Sequence, residues 1–217
     1  EPGAGSDLAS LKLKAQPDGD DYILNGSKIW TTHAHLADHI FCLVRTDSSG
    51  KPQQGISFLL VDMDRPGVTV TPIHTMAGDL EVNQVFFENV RVPKSNRIGE
   101  ENKGWQYAKY LLEFERGGGF SAPRIQHELQ RLQQLVARAK QGNPEFDASG
   151  DIARRIARVE IDLKALEITE LRILSCVSGG GNPGPESSIL KLNTTRLEQE
   201  INELSVDVLG YRGFAME

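Results

Sequence analysis

The sequence has only two cysteines among its 217 residues, Cys42 and Cys176, each alone and far from the other. Two isolated thiols make no disulfide framework and no Cys-x-x-Cys pair. A reduced, cytoplasmic protein is therefore expected, with each thiol serving as a small buried apolar residue. No apolar run approaches the roughly 20 residues needed to span a bilayer, and no signal peptide opens the chain, so no membrane partner is expected. A basic excess is also missing. The 24 Lys and Arg stand against 30 Asp and Glu, for a net charge of -6. Nucleic-acid binding needs clustered cations and is not expected here. There is no GxxxxGK[ST] stretch, and no GxGxxG set between a strand and a helix.

What is present is ordinary for a globular protein: 39% hydrophobic and 25% charged residues. The length allows a well-buried core and two modules. The chain opens at Glu1 without Met and ends at "GYRGFAME", so a piece of a longer protein is expected.

Two regimes follow one another. Residues 8 to about 98 read as β. "DYILNGSKIW" reads as strand, Asn-Gly turn, strand. "HIFCLVRTD", "ISFLLVDMD", "GVTVTPI" and "NQVFFENVRVP" continue the series, the last alternating around Val85, Phe87, Val90 and Val92. Short strands at this spacing suggest a sandwich or barrel. From about residue 100 the period becomes helical. "APRIQHELQRLQQLVARAKQ" spaces Ile125, Leu129, Leu132, Leu135 and Val136 along one face. "DIARRIARVEIDLKALEITELRILSCV" puts Ile152, Ile156, Val159, Leu163, Leu166 and Leu171 on a stripe. "SSILKLNTTRLEQEINELSVDVLG" is a last helix, with Gly210 as its stop. The expected fold is α+β: an antiparallel β barrel or sandwich over 1–100, then an antiparallel helical bundle over 101–217 that is incomplete as it stands.

Four stretches carry candidate chemistry. In "EPGAGSD", Gly3 and Gly5 permit close backbone approach and Ser6 can donate to a phosphate or carbonyl, although spacing alone favours an ordinary turn. In "IWTTHAHLADHI", His33, His35 and His39 lack metal-ligand spacing, and Asp38 is the only nearby carboxylate. Trp30 with Thr31 and Thr32 suits a flat heteroaromatic ligand, because an indole stacks and hydroxyls donate. A buried Trp at a strand end is the alternative. In "GWQYAKYLLEFERGGG", Trp105, Ala108, Leu111, Leu112 and Glu115 fall within an arc of roughly 120° at about 100° per residue. A carboxylate on that face is expected to be desolvated and a better proton acceptor, with Arg116 beside it. A structural Glu–Arg pair is the other reading. "SGGGNPGP" reads as a surface loop.

Taken in order, "EPGAGSD", "NGSKIWTT", "VFFENVRVP", "GEENKGWQYAKYLLEFER" and "DVLGYRGF" resemble the acyl-CoA dehydrogenase family along essentially the whole chain. "IWTTHAHLADHIFCLVRTD" and "GISFLLVDM" look most like the bacterial branch that includes the pimeloyl-CoA dehydrogenase large subunit. The resemblance implies the family's central β domain and most of its C-terminal bundle, without the N-terminal helical domain or the segment after "GYRGF". It implies FAD as cofactor, an acyl-CoA substrate and reoxidation by an electron-transfer flavoprotein. It also implies a dimer or tetramer, with a second homologous subunit as one form. Trp30 and Thr32 match the Trp-x-Thr that lines the flavin ring, with Thr31 between them. Ser6 and Arg116 match substrate contacts, and Glu115 matches the base of members that carry it on this helix. No metal is implied. The sequence departs from the family at Asp207, at Gly210-Tyr211-Arg212 and at Gly117 to Gly119. The implied reaction is α,β-dehydrogenation to a trans-2-enoyl-CoA. An oxidase or flavin monooxygenase on the same fold, or a non-catalytic partner subunit, are the alternatives.

Overall fold

A computed structural model describes residues 1–117, 121–143, 145, 146 and 150–214, and within these not the side chains at 113, 114, 116, 117 and 214. The chain divides into two compact units, Glu1–Leu111 and Leu112–Glu217.

The first unit is built on one six-stranded sheet. Its strands are β1 (Lys14–Asp18), β2 (Asp21–Thr32), β3 (His39–Arg45), β4 (Ile56–Asp62), β5 (Val68–Pro72) and β6 (Val82–Pro93), in the order β4-β3-β1-β2-β6-β5. All neighbours run antiparallel except β1 and β3, which meet in parallel at Lys14 and Arg45. The pairing is thus mixed, with one parallel contact, where all-antiparallel pairing was expected. Alternation along each strand sends one set of side chains inward: Tyr22 and Leu24, Cys42 and Val44, Leu59 and Val61, Val85 and Phe87.

The hairpin lies elsewhere than expected. β2 runs straight through Asn25-Gly26, and the turn is Gly19-Asp20, closed by the Asp18–Asp21 pair, with Gly19 at φ 57°. The glycine ahead of a negative-φ residue is the type II′ arrangement that suits a two-residue hairpin. Asn25-Gly26 instead faces a bulge. Asn89 takes φ 53°, its N–H donates to Asn25 Oδ1 (2.9 Å), and Asn25 Nδ2 donates to Asn89 Oδ1 (3.2 Å). The register shifts by one residue there, which explains why the inward positions of β6 change from Val85 and Phe87 to Val90 and Val92. Gly26 is needed because a Cβ there would sit 3.0 Å from Leu13 Cα.

Helix α1 (Gly104–Gly117) crosses the boundary between the units; α2 (Ala122–Gly142), α3 (Asp151–Ser178) and α4 (Glu186–Leu209) form the core of the second. Ile125, Leu129 and Leu132 of α2 meet Val159, Leu163, Leu166 and Ile173 of α3 and Leu197, Ile201 and Leu204 of α4. One stripe position differs from expectation. Leu171 is 50% exposed, and the inward sequence runs Leu166, Glu170, Ile173. The helical period was right, but a carboxylate occupies a core position. Cys42 is buried, as expected, and burial pushes its thiol up to about 12; Cys176 is exposed.

Candidate functional site

Trp30 lies at a second bulge, near the end of β2. Lys28 pairs with Val85 and Thr31 with Asn83, so β2 carries one residue more than β6 over this step. Trp30 adopts φ 61°, a left-handed conformation that a bulky residue rarely takes. It is 63% exposed, not buried at a strand end. Thr31 and Thr32 follow in register with Asn83 and Val82, and His33 turns the chain again at φ 54°. The His33 N–H donates to the Glu81 carbonyl at 2.8 Å. An exposed indole is followed by two hydroxyl residues, with left-handed backbone at Trp30 and again at His33. That arrangement fits a planar heteroaromatic group.

Asn83 was not singled out by sequence. It occupies an inward position of β6, fully buried, and Nδ2 donates to the carbonyls of Thr31 (3.1 Å) and Glu81 (3.4 Å). Its Oδ1 has no partner among the described residues. A polar residue in the alternating set Asn83, Val85, Phe87 was the available signal.

Ser6 is exposed in the turn that precedes the sheet. This turn is fastened from within. The Glu1 carboxylate accepts from the Lys12 and Leu13 N–H groups (2.6 and 3.0 Å) and from Lys28 Nζ (2.8 Å), which also donates to the Leu43 carbonyl. Burial alone would raise the Glu1 pKa. The hydrogen bond and charge of Lys28, with the two amides, outweigh it and hold the carboxyl below its ordinary value. Ser10 Oγ donates to the Gly3 and Asp7 carbonyls and closes the far side of the turn.

Glu115 is exposed, contrary to the desolvation expected of it. The apolar face of α1 is covered unevenly. Ala108 is buried, Trp105 and Leu112 are half-buried, and Leu111 and Glu115 are exposed. The Arg116 side chain and Gly118–Gly119 lie outside the described residues. Glu115 belongs to the second unit, whereas Ser6, Trp30, Thr31 and Thr32 belong to the first.

Glu170 is the second residue that sequence reading missed. It is 4% exposed and accepts from the N–H groups of Ser121 (2.7 Å) and Ala122 (3.2 Å). A carboxylate from α3 thereby caps the first turn of α2, whose positive dipole end it faces. Asp207, one of the departures from the family pattern, accepts from Arg155, which also holds Glu200. Tyr211 is exposed. His39 pairs with Asp62 at 3.1 Å, and the rings of His33 and His35 meet edge to face. Among the described residues, no three His, Cys, Asp or Glu side chains are grouped to hold a metal ion, and no helix is long and apolar enough to cross a membrane.

Residues 1–90 match the acyl-CoA dehydrogenase middle domain, and residues 102–217 match the acyl-CoA dehydrogenase C-terminal domain. The chain is 37% identical to acyl-CoA dehydrogenase FadE26 of Mycobacterium tuberculosis, over 97% of this chain and 54% of that protein. Among solved structures it resembles the Tcur3481-Tcur3483 steroid ACAD (TM-score 0.88, 31% identity, 100% of this chain and 55% of that one). It also resembles the ChsE4-ChsE5 complex of Mycobacterium tuberculosis (TM-score 0.83, 35% identity, 99% and 55%). The chain spans little more than half the length of these relatives. On both domain matches and this identity, the chain belongs to the acyl-CoA dehydrogenase family.

Proposed function

We propose that the chain is the central and C-terminal part of an FAD-dependent enzyme that oxidises an acyl-CoA thioester to the trans-2-enoyl-CoA. The observation that carries this reading is Trp30. A strained, outward indole followed by two threonines is costly to hold, and strain of this kind is kept where a site uses it. Bound FAD supplies the acceptor for the β-hydrogen, taken as hydride. The rest is the work of this chain. Trp30 stacks on the flavin ring, and the Thr31 and Thr32 groups donate to its polar edge. Ser6 hydrogen-bonds the thioester arm, Arg116 holds the substrate close, and Glu115 removes the α-proton.

In this reading residues 1–100 are the central β domain, of barrel or sandwich type in the whole protein. Residues 101–217 are most of an antiparallel bundle. The order of polar cross-links supports the latter. Gln133 reaches Glu160 while Ser121 and Ala122 reach Glu170; Arg196 reaches Asp162 while Arg155 reaches Glu200 and Asp207. The steroid named for one relative makes a polycyclic acyl group the first substrate to test. The two-chain names of both solved relatives support an oligomer with a second homologous subunit, and reoxidation is assigned to an electron-transfer flavoprotein.

The test is anaerobic mixing of the full-length protein with a panel of CoA esters. Bleaching of the visible flavin band, with little peroxide formed in air, supports a dehydrogenase; rapid peroxide formation makes it an oxidase. Glu115→Gln is expected to slow bleaching by about 10²–10⁴-fold, the worth of a positioned base. An unchanged rate removes Glu115 as the base. Bleaching that requires an added second chain moves the chemistry to that partner.

A further inference from the structure

We propose that Asn83 is a positioning residue for the flavin wall. Its buried amide, donating to the Thr31 and Glu81 carbonyls, holds the bulge in which Trp30 points outward. The inference rests on the flavin reading above. The geometry is specific. Both neighbours of Nδ2 are carbonyl oxygens, which fixes the amide's orientation. The Thr31 carbonyl immediately follows Trp30 in the chain. The Glu81 carbonyl also receives the His33 N–H, so one amide ties together the exit of β2 and the entry of β6.

Two left-handed residues, Trp30 and His33, flank the tied segment. Each such conformation is strained and persists only where surrounding bonds over-determine it. The two donations from Asn83 contribute to that over-determination. The other half of the amide stabilises nothing: Oδ1 is sealed from solvent with no partner among the described residues. An unpaired buried acceptor lowers stability. Leucine, nearly isosteric, would fill the position without that penalty. Retaining an amide with one idle end, at an inward position of a strand otherwise lined by Val85 and Phe87, is a choice for placement over stability. Oδ1 is also too enclosed to meet a ligand, so Asn83 acts through the Trp30 bulge and not by touching the cofactor.

The full-length protein carries the test, by titrating FAD into the apo form. Asn83→Leu is expected to weaken FAD binding about tenfold, ~1.4 kcal/mol, while the urea midpoint of the apo protein stays level or rises. In a Trp30→Gly background the same substitution is expected to change FAD binding by less than about twofold, because the group it places is gone. Equal FAD affinity for Asn83→Leu and wild type overturns the proposal. So does an equal loss in both backgrounds, which would mark a general structural defect. If Asn83→Leu does not fold, Asn83→Ala replaces it, with the same expected and overturning results for FAD affinity. A wild-type protein that binds no FAD overturns the flavin reading itself and the role of Asn83 with it. Wild-type binding without sensitivity at position 83 overturns the role of Asn83 alone.

Discussion

Replacing Glu170 by glutamine should destabilise the helical unit through a single lost charge. The Glu170 carboxylate is 4% exposed and caps α2 through the Ser121 and Ala122 N–H groups. Hydrogen bonds to a charged acceptor contribute about 1.5–3 kcal/mol, against about 0.5–1.5 for a neutral one. The negative charge near the helix N-terminus adds about 0.3–1 kcal/mol. Glutamine keeps the volume and one acceptor oxygen, so the difference is about 1–2 kcal/mol. Alanine also leaves the buried Ala122 N–H without an acceptor and opens a small void, which raises the loss to about 3 kcal/mol. Urea unfolding followed by far-UV circular dichroism reads this directly. With a slope of about 1–3 kcal/mol per molar, 1.5 kcal/mol moves the midpoint by roughly 0.5–1.5 M. Glu167→Gln is the control on the same helix. Glu167 is half-buried and pairs with the exposed Lys164 three residues earlier, a contact largely screened by solvent, so it should cost less than about 0.5 kcal/mol. If Glu170→Gln and Glu167→Gln shift the midpoint equally, the capping role is refuted.

Glu1→Gln should cost about 2 kcal/mol at neutral pH, since it breaks a charge-assisted contact with the enclosed Lys28. The folded pKa of Glu1 lies below its ordinary value of 4.5, so its stabilisation is fully present above 4.5 and is lost as pH falls through the folded value. The gap between wild type and Glu1→Gln should therefore close on acidification, and a gap independent of pH would refute the pairing. Gly26→Ala should cost about 1–3 kcal/mol, because φ is 146° and the new Cβ meets Leu13 at 3.0 Å; a neutral effect on thermal unfolding would refute that close approach. Leu197→Ala, at a fully buried position of α4, should cost about 2–5 kcal/mol, and a loss under about 1 kcal/mol would mean the core is not packed there.

The helices were legible because a 3.6-residue period survives in any sequence that buries one face, and α2, α3 and α4 begin and end close to where that period does. Glu170 escaped for the same reason: a pattern of apolar residues skips a charged residue at a core position and takes the next leucine, Leu171, instead. In the sheet, Asn25-Gly26 carries the local signature of a turn, but its partners are far along the chain, at Asn89 and Leu13. No short-range rule contains them. The Trp30–Thr32 cluster stands out by residue type, yet the exposure of Trp30 depends on a one-residue slip against β6 that composition does not encode. Helix period puts Glu115 on the face of Trp105 and Ala108, but what covers that face is a tertiary matter, and Glu115 itself is exposed.

The most direct measurement is a crystal structure of the full-length protein grown with FAD. The account predicts the Trp30 indole in van der Waals contact with the isoalloxazine ring, within about 4 Å, and Thr31 or Thr32 hydrogen-bonded to the ring's polar edge. A flavin bound elsewhere, or a Trp30 bulge covered by other protein with no room for a three-ring heterocycle, would contradict it.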